Sequence, residues 1–507
     1  MKMLKKINIP IPLFIFLTFL SIIRFTFLGK GALGISDEWR YDESLRLLSF
    51  LAKQDFANFF NTISNTQGRP ADVLIRLPDA LLQTLFFKIT GLEIYHPSSL
   101  IIPTTINIVV NFFIAILFYK IAYLCLRKDA TFALYASIVF CMLVNNNVYI
   151  RHIVPYDYGL LFFFSALYFI LKNTHRSYFF ISGFFSALSF AIYPGYYVGV
   201  GVVFLLALFI IIKHHKNRIL NQIFFFGSGF ASLILFFEGL HQISKKSYIL
   251  NLVYLSSSII QGSFEEGFSF IFKYLLENDY LTGFLLILAS FLALFKGLYR
   301  IFKEKKELSI SPTDVILVAV LAMFLFHASM TFFFQKMVFY GRLAHFYFPF
   351  MVLSAFIGFQ NMKAKKIIPI FFVISACFSF IYFTYRFQNI NYPRDVAAQH
   401  RLLVTFGDPL LRPQPAIPQI IDETQLASFK IIDIPKNTNH FKLINFSYFY
   451  PLEKEYKVYE PVVDEELVFQ AIHFQSFTPY LFEGFNPKER AEAKKRQMKI
   501  KIYRTRK

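Results

Sequence analysis

The chain is poor in the residues that build disulfide-knit domains and metal centres. Its 507 residues include three cysteines, Cys125, Cys141 and Cys377, each in or at the end of an apolar run. No CxxC or Cys/His spacing accompanies them, so the sequence suggests neither a disulfide framework nor a zinc site. Acidic residues are also scarce: 32 against 52 basic ones, a net charge of +20. The basic residues lie mostly in short connections between apolar runs, as in cytoplasmic loops, which argues against nucleic acid as the partner. The 11 histidines are scattered, and His214 and His215 read as solvated members of a basic loop.

What is abundant is apolar bulk. Hydrophobic residues make up 56% of the chain, with 68 Phe and 29 Tyr, and the phenylalanines read as lipid-facing bulk. Repeated runs of about 20 nearly uncharged residues predict transmembrane helices, because that length at 1.5 Å per residue crosses the hydrocarbon. The runs fall at 7–29, 98–126, 130–148, 154–172, 178–194, 196–213, 222–240, 281–299, 314–334, 338–359 and 367–386. The expectation is a polytopic α-helical membrane protein of about eleven transmembrane helices. Lys2, Lys5 and Lys6 precede the first run and keep the N-terminus cytoplasmic. That run could be a signal peptide, with Ala32-Leu33-Gly34 as a weak cleavage point, but its length, Pro10, Pro12 and Arg24 favour an uncleaved anchor. Every inner connection on this count is basic, among them Arg127-Lys128, Lys172 to Arg176, Lys213 to Arg218, Arg300 to Lys306 and Lys363 to Lys366. The outer ones are mixed or sparse in charge, as an inner- or plasma-membrane location with this orientation requires. Residues 30–97 form a large first outer loop, within which 72–90 read as amphipathic interfacial helices carrying Arg76, Asp79 and Lys88.

After about residue 387 the composition changes. A Pro-rich entry at 408–419 is followed by β-like runs at 429–434, 441–449, 456–459 and 467–473, a helix over 487–497 and a strand over 498–503. The division is therefore a membrane domain over 1–386 and a small C-terminal α+β domain over 387–507. The span count puts that domain outside the membrane, although its basic tail pulls the other way.

Chemistry concentrates in Ser36-Asp37-Glu38-Trp39-Arg40-Tyr41-Asp42-Glu43, directly after the first run, with the single tryptophan. On spacing alone this is also an ordinary solvated helix start. At an outer membrane edge, however, Asp37 and Glu38 could act as bases towards a hydroxyl or amine, and Arg40 could neutralise a phosphate leaving group. Arg151, His152 and Asp157, and Gln335, Lys336, Tyr340, Arg342 and His345, lie at other outer positions that could converge on them. Arg151 and Lys336 could instead snorkel to headgroups. Asp157 and Arg342 sit inside apolar runs, where an ionisable group usually faces a partner or a polar interior. His327 reads as a satisfied buried histidine, and Tyr193, Tyr196 and Tyr197 as an aromatic belt or the lining of an acceptor groove. Asp37, Glu38 and Asp157 are hard oxygen ligands that would suit Mg²⁺ or Mn²⁺, and no spacing decides for or against either ion.

Asp37-Glu38-x-Arg40-Tyr41-x-Glu43, placed just after the first span, resembles the signature of the GT-C glycosyltransferases. The branch it is most similar to contains aminoarabinose transferases and protein O-mannosyltransferases. Pro155-Tyr156-Asp157, and Tyr340-Gly341-Arg342 with Pro349, resemble later elements of the same family, so the likeness covers roughly 1–386. The resemblance implies a sugar donor on polyprenyl phosphate, used at the outer face and commonly with inversion, and a lipid, glycan or protein acceptor. It implies Asp37 as the base, with Glu38 and Arg40 organising the site, Arg342 facing the donor phosphate and Asp157 shaping the acceptor side. Tyr41, Glu43, Arg151 and Tyr340 complete the substrate-binding set. Two departures stand out. Tyr193-Pro194 occupies the place where relatives often carry a lysine, and the family's His-Pro-Pro element is represented only by Gly68-Arg69-Pro70. The alternatives are a transporter for a lipid-linked saccharide, which would show broken spans and an inverted repeat, and a non-catalytic membrane assembly factor.

Overall fold

The structure is a computed structural model. It describes residues 10–385 apart from 27, 29–37, 39, 67, 93, 95–96, 173–174, 215–217, 259–266, 304–310, 335–340, 361 and 363–366; beyond these it describes 419–421, 441–445, 465–474 and 497–505. The helices, in chain order, are α1 (Ile11–Phe25), α2 (Arg40–Ala52), α3 (Phe56–Ser64), α4 (Pro70–Ile75), α5 (Leu77–Thr90), α6 (Pro97–Cys125), α7 (Ala130–Met142), α8 (Val144–Val148) and α9 (Tyr156–Lys172). They continue as α10 (Arg176–Ile192), α11 (Tyr197–His214), α12 (Ile219–Ile243), α13 (Tyr248–Ser258), α14 (Phe270–Asn278), α15 (Tyr280–Lys303), α16 (Pro312–Phe332), α17 (Gly341–Gln360) and α18 (Ile367–Phe383).

Five stretches among the described residues, Ser98–Cys125, Pro194–His214, Ile219–Ile243, Pro312–Phe332 and Gly341–Gln360, are long and apolar enough to cross a membrane. A sixth is added if α7 and the helical stretch Val144–Arg151, bent by 59°, count as one span. Ile11–Phe25, Arg176–Ile192, Tyr280–Phe295 and Ile367–Phe383 are apolar but shorter. The distribution of polarity is that of a helical membrane protein. Leu220, Phe224, Phe295 and Phe378 point outward, while Arg24, Asn111, Asn147, Asp157 and His345 are buried. Such a surface would be an aggregation liability in water and is comfortable in lipid.

α1 shows how the sequence directs this. Leu13, Leu17, Leu20 and Arg24 recur at helical spacing and are buried, while Ile15, Phe19 and Ile22 face out. Arg24 is the polar end of the buried stripe, donating to Asn111 Oδ1 at 2.7 Å, Asn147 Oδ1 at 2.9 Å and the Cys141 carbonyl at 3.0 Å.

Those contacts explain a correction. The apolar run 130–148 predicts one continuous span, but the helix stops at Met142 and restarts at Val144 around an extended Leu143. Backbone groups freed in a membrane must be satisfied from within the protein. The Asn147 side-chain amide donates to the carbonyls of Cys141 at 3.0 Å and Leu143 at 2.7 Å, and Asp279 Oδ1 accepts the Val144 N–H at 2.9 Å. Arg24, Asn147 and Asp279, from three separate parts of the chain, stabilise the break.

The next connection, 149–154, is equally fixed. The Asn107 amide donates to the Ile150 carbonyl at 3.2 Å and the His152 carbonyl at 2.6 Å. Arg76 donates to the Val154 carbonyl, and Glu38 accepts from the Ile153 N–H at 2.6 Å. The interfacial reading of 72–90 meets two short helices jointed at Arg76. α5 does expose Leu81, Leu82, Leu85 and Ile89, but Arg76 and Asp79 are turned inward. They pair at 3.2 Å, with Asp72 at 3.6 Å from Arg76 Nε and the Tyr158 ring 5.0 Å from the guanidinium. α4 and α5 are therefore anchored to α9 through buried charge.

Four strands, β1 (Gln419–Ile421), β2 (Phe441–Asn445), β3 (Glu465–Phe474) and β4 (Gln497–Thr505), form an antiparallel sheet in the order β1-β2-β4-β3. β2, β3 and β4 fall on the runs 441–449, 467–473 and 498–503, whereas β1 begins at the end of the Pro-rich entry. The runs at 429–434 and 456–459 and the helix over 487–497 lie outside the described residues apart from Gln497.

Candidate functional site

Asp37 and Tyr340 lie outside the described residues, as do Gln335 and Lys336; the other predicted site residues can be located. Glu38 is fully buried, with Oε1 on the Ile153 N–H and Oε2 2.9 Å from His152 Nδ1. Both oxygens are engaged, so Glu38 is tied to the 149–154 connection. Arg40 is buried and donates to the Thr66 carbonyl at 3.0 Å, and the Tyr41 hydroxyl donates to Gln83 Oε1 at 2.6 Å. These two residues organise the loop from within. Arg151 is also buried, at 2% exposure, so the snorkelling alternative is corrected for it.

Glu43 lies on α2, outside the helices long and apolar enough to cross a membrane, with Oε2 buried and without a hydrogen-bond partner among the described residues. Burial pushes its carboxyl up to about 7, against the opposing pull of Arg40. A raised acid binds its proton more tightly in the folded state, so its contribution is full below the ordinary value of 4.5 and is lost as pH rises through about 7. Glu43→Gln is expected to stabilise the protein by about 1–2 kcal/mol at pH 8 and to make little difference near pH 4.5. Thermal unfolding at the two pH values checks this; an equal gain at both would show that ionisation is not the cause.

The second group forms where the N-terminal ends of α9 and α17 meet. Arg342 donates to the Tyr156 hydroxyl at 3.1 Å, and its guanidinium lies 5.8 Å from the Tyr156 ring centroid and 5.9 Å from that of Tyr193. One turn later His345 Nε2 is 3.1 Å from Asp157 Oδ1, and His345 Nδ1 is 2.8 Å from Asn145 Oδ1. Tyr193 and Tyr196 are buried, with Tyr193 edge-on to Tyr156 at 5.2 Å, so the aromatic-belt reading is corrected for both. Tyr197 is only partly buried, and its hydroxyl pairs with His327 Nδ1 at 2.7 Å, leaving His327 buried and satisfied.

Arg69 was missed by sequence reasoning. Its guanidinium lies 5.1 Å from the Tyr193 ring centroid, so two arginines from distant parts of the chain engage one tyrosine. Gly68-Arg69-Pro70 was the available signal. Gly68, at φ +77, makes the turn that delivers Arg69, and Pro70 opens the next helix. Asn145, the fixed partner of His345, was missed as well, although three consecutive asparagines in an apolar run mark a place where backbone must be satisfied.

Glu38 and Asp157 are each committed to a histidine, and among the described residues no group of three His, Cys, Asp or Glu gathers as a metal site requires. The arrangement offers cations able to hold an anion against aromatic faces, with a buried carboxylate-histidine pair beside them. No protein-family model matches the chain, and no curated protein or solved structure matches it either.

Proposed function

We propose that the chain is an integral-membrane glycosyltransferase that moves a sugar from a polyprenyl-phosphate donor to a lipid, glycan or protein acceptor at the outer face. Asp37 is the general base in this reading. About eleven spans carry the chain across the bilayer, with the N-terminus cytoplasmic and the C-terminal α+β domain outside. The observation that supports it most is the convergence of Arg69 and Arg342 on Tyr193. Departure of a lipid phosphate needs positive charge at the oxygen that gains negative charge, and guanidinium groups supply it. Arg69 also offers a cation beside Tyr193-Pro194, where the family resemblance leaves a lysine missing. Glu38, Arg40 and Tyr41 brace the acidic segment, and Asp157 with His345 shapes the acceptor side.

A transporter is the second reading, favoured by the broken α7/α8 span. Its backbone ends, however, are capped by Arg24, Asn147 and Asp279, so the break has the chemistry of a fixed joint.

The test is sugar transfer by the purified, lipid-reconstituted chain from a panel of polyprenyl-phosphate sugars. Arg69→Ala and Arg342→Ala are each expected to lower the rate about 10- to 100-fold, with the fold intact. No turnover of any donor by the wild type, or wild-type rates in both variants, would sink the reading.

A further inference from the structure

The Asn145 amide cannot be turned around. Its nitrogen lies 2.9 Å from the Gly341 carbonyl oxygen and 2.9 Å from the Tyr274 hydroxyl, and a carbonyl oxygen can only accept. Oδ1 therefore faces His345 Nδ1 at 2.8 Å, and that ring nitrogen must carry a proton. The opposite nitrogen, Nε2, is 3.1 Å from Asp157 Oδ1. A neutral imidazole protonated on Nδ1 has only a lone pair at Nε2, and two acceptors facing one another inside the protein would be repulsive. One proton must therefore sit between His345 and Asp157, as imidazolium with carboxylate or as imidazole with carboxylic acid. In either form the pair is electroneutral.

We propose that Asn145 and His345 act as positioning residues that keep Asp157 in an electroneutral one-proton pair, so that Asp157 does not cancel the charge Arg69 and Arg342 present to a phosphate. His345 and Asp157 are both buried, and Asp157 Oδ2 has no hydrogen-bond partner among the described residues. Arg342 is three residues before His345 on α17, and its partner Tyr156 immediately precedes Asp157. A bare carboxylate in this place would compete with the phosphate for the guanidinium groups. Among the described residues, the other charged or titratable neighbours are Arg24 on α1, Tyr158 and Tyr196, whose fields reach Asp157, together with Tyr149, whose ring is edge-on to His345 at 5.7 Å, and Tyr274 behind Asn145. None of them bonds to Asp157 Oδ2. The hydrogen-bond line stands by itself, while its role towards phosphate rests on the transferase reading.

The test is solid-state ¹⁵N NMR of the histidine-labelled full chain in lipid, with the His345 signals assigned by their loss in His345→Gln. The expected spectrum has a protonated Nδ1, alone or with Nε2 also protonated. A wild-type His345 protonated only at Nε2 would overturn the proposal. Asn145→Leu removes the acceptor and is expected to move the proton to Nε2; an unchanged spectrum would show that Asn145 does not set the tautomer. The second readout is binding of a polyprenyl monophosphate. His345→Leu is expected to weaken it about tenfold, and adding Asp157→Asn in the same chain to restore most of that loss. Wild-type affinity in His345→Leu would overturn the charge-keeping role. A wild type that binds no polyprenyl monophosphate, with the NMR result as expected, would remove the transferase reading and leave the one-proton pair standing.

Discussion

Asp37→Asn is expected to lower sugar transfer by about 10²- to 10⁴-fold while leaving folding and donor binding close to wild type. Removal of a general base costs the proton transfer in the transition state and little of the ground-state binding. The neighbouring carboxylate cannot substitute, because Glu38 accepts from the Ile153 N–H and pairs with His152 through its two oxygens. Glu38→Gln should therefore act differently, loosening the bond to the 149–154 connection and lowering stability together with rate. Rates, donor affinity and melting temperature measured side by side separate the two cases. Equal transfer rates for wild type and Asp37→Asn would remove Asp37 from the mechanism. Donor binding without turnover, unaffected by the substitution, would favour a transporter, and loss of a membrane assembly without any turnover would favour an assembly factor.

Much of the helical architecture was legible because it follows from composition and period. A run of about 20 apolar residues has few options in or out of lipid, and the buried stripe of α1 can be counted along Leu13, Leu17, Leu20 and Arg24. The break at Leu143 was not legible. An averaged window over 130–148 is apolar throughout, and the groups that stabilise the break come from Arg24, Asn147 and Asp279. The site was half legible for the same reason. Asp157 and Arg342 stand out as ionisable groups in apolar runs, but nothing local announces that Asp157 meets His345 or that Arg69 meets Tyr193. Pairings of this kind are set by helix packing and leave no period in the sequence. The tyrosines were misplaced because an aromatic belt and a buried aromatic layer have the same composition at a span end. What separates them is burial inside the protein, which encloses both Tyr193 and Tyr196.

Alanine at Gly183 or Gly229 is expected to cost about 3 kcal/mol of stability and to lower transfer as well. α10 and α12 cross with these glycines against each other's backbone. A Cβ at Gly183 would come within 2.1 Å of the Phe226 carbonyl oxygen, and one at Gly229 within 2.0 Å of the Phe180 carbonyl oxygen. A carbonyl in a helix cannot rotate aside, so the helices must separate, and close approach through small residues is a main source of helix association in lipid. Gly201 differs, because its nearest neighbour is the flexible Met323 Sδ at 3.0 Å. At Gly227 nothing lies within 4 Å, so Gly227→Ala should be neutral or stabilise by up to about 1 kcal/mol through helix propensity. The effect on transfer follows from what α10 carries. Its Ser189 hydroxyl donates to the Gly159 carbonyl of α9 at 2.7 Å, and its last turn ends at Tyr193, which Arg69 and Arg342 share. Moving α10 outward pulls that ring away from the two arginines, so melting temperature and donor affinity should fall together in Gly183→Ala and Gly229→Ala but not in Gly227→Ala. A Gly183→Ala protein that melts like wild type would mean that the two helices do not cross this closely.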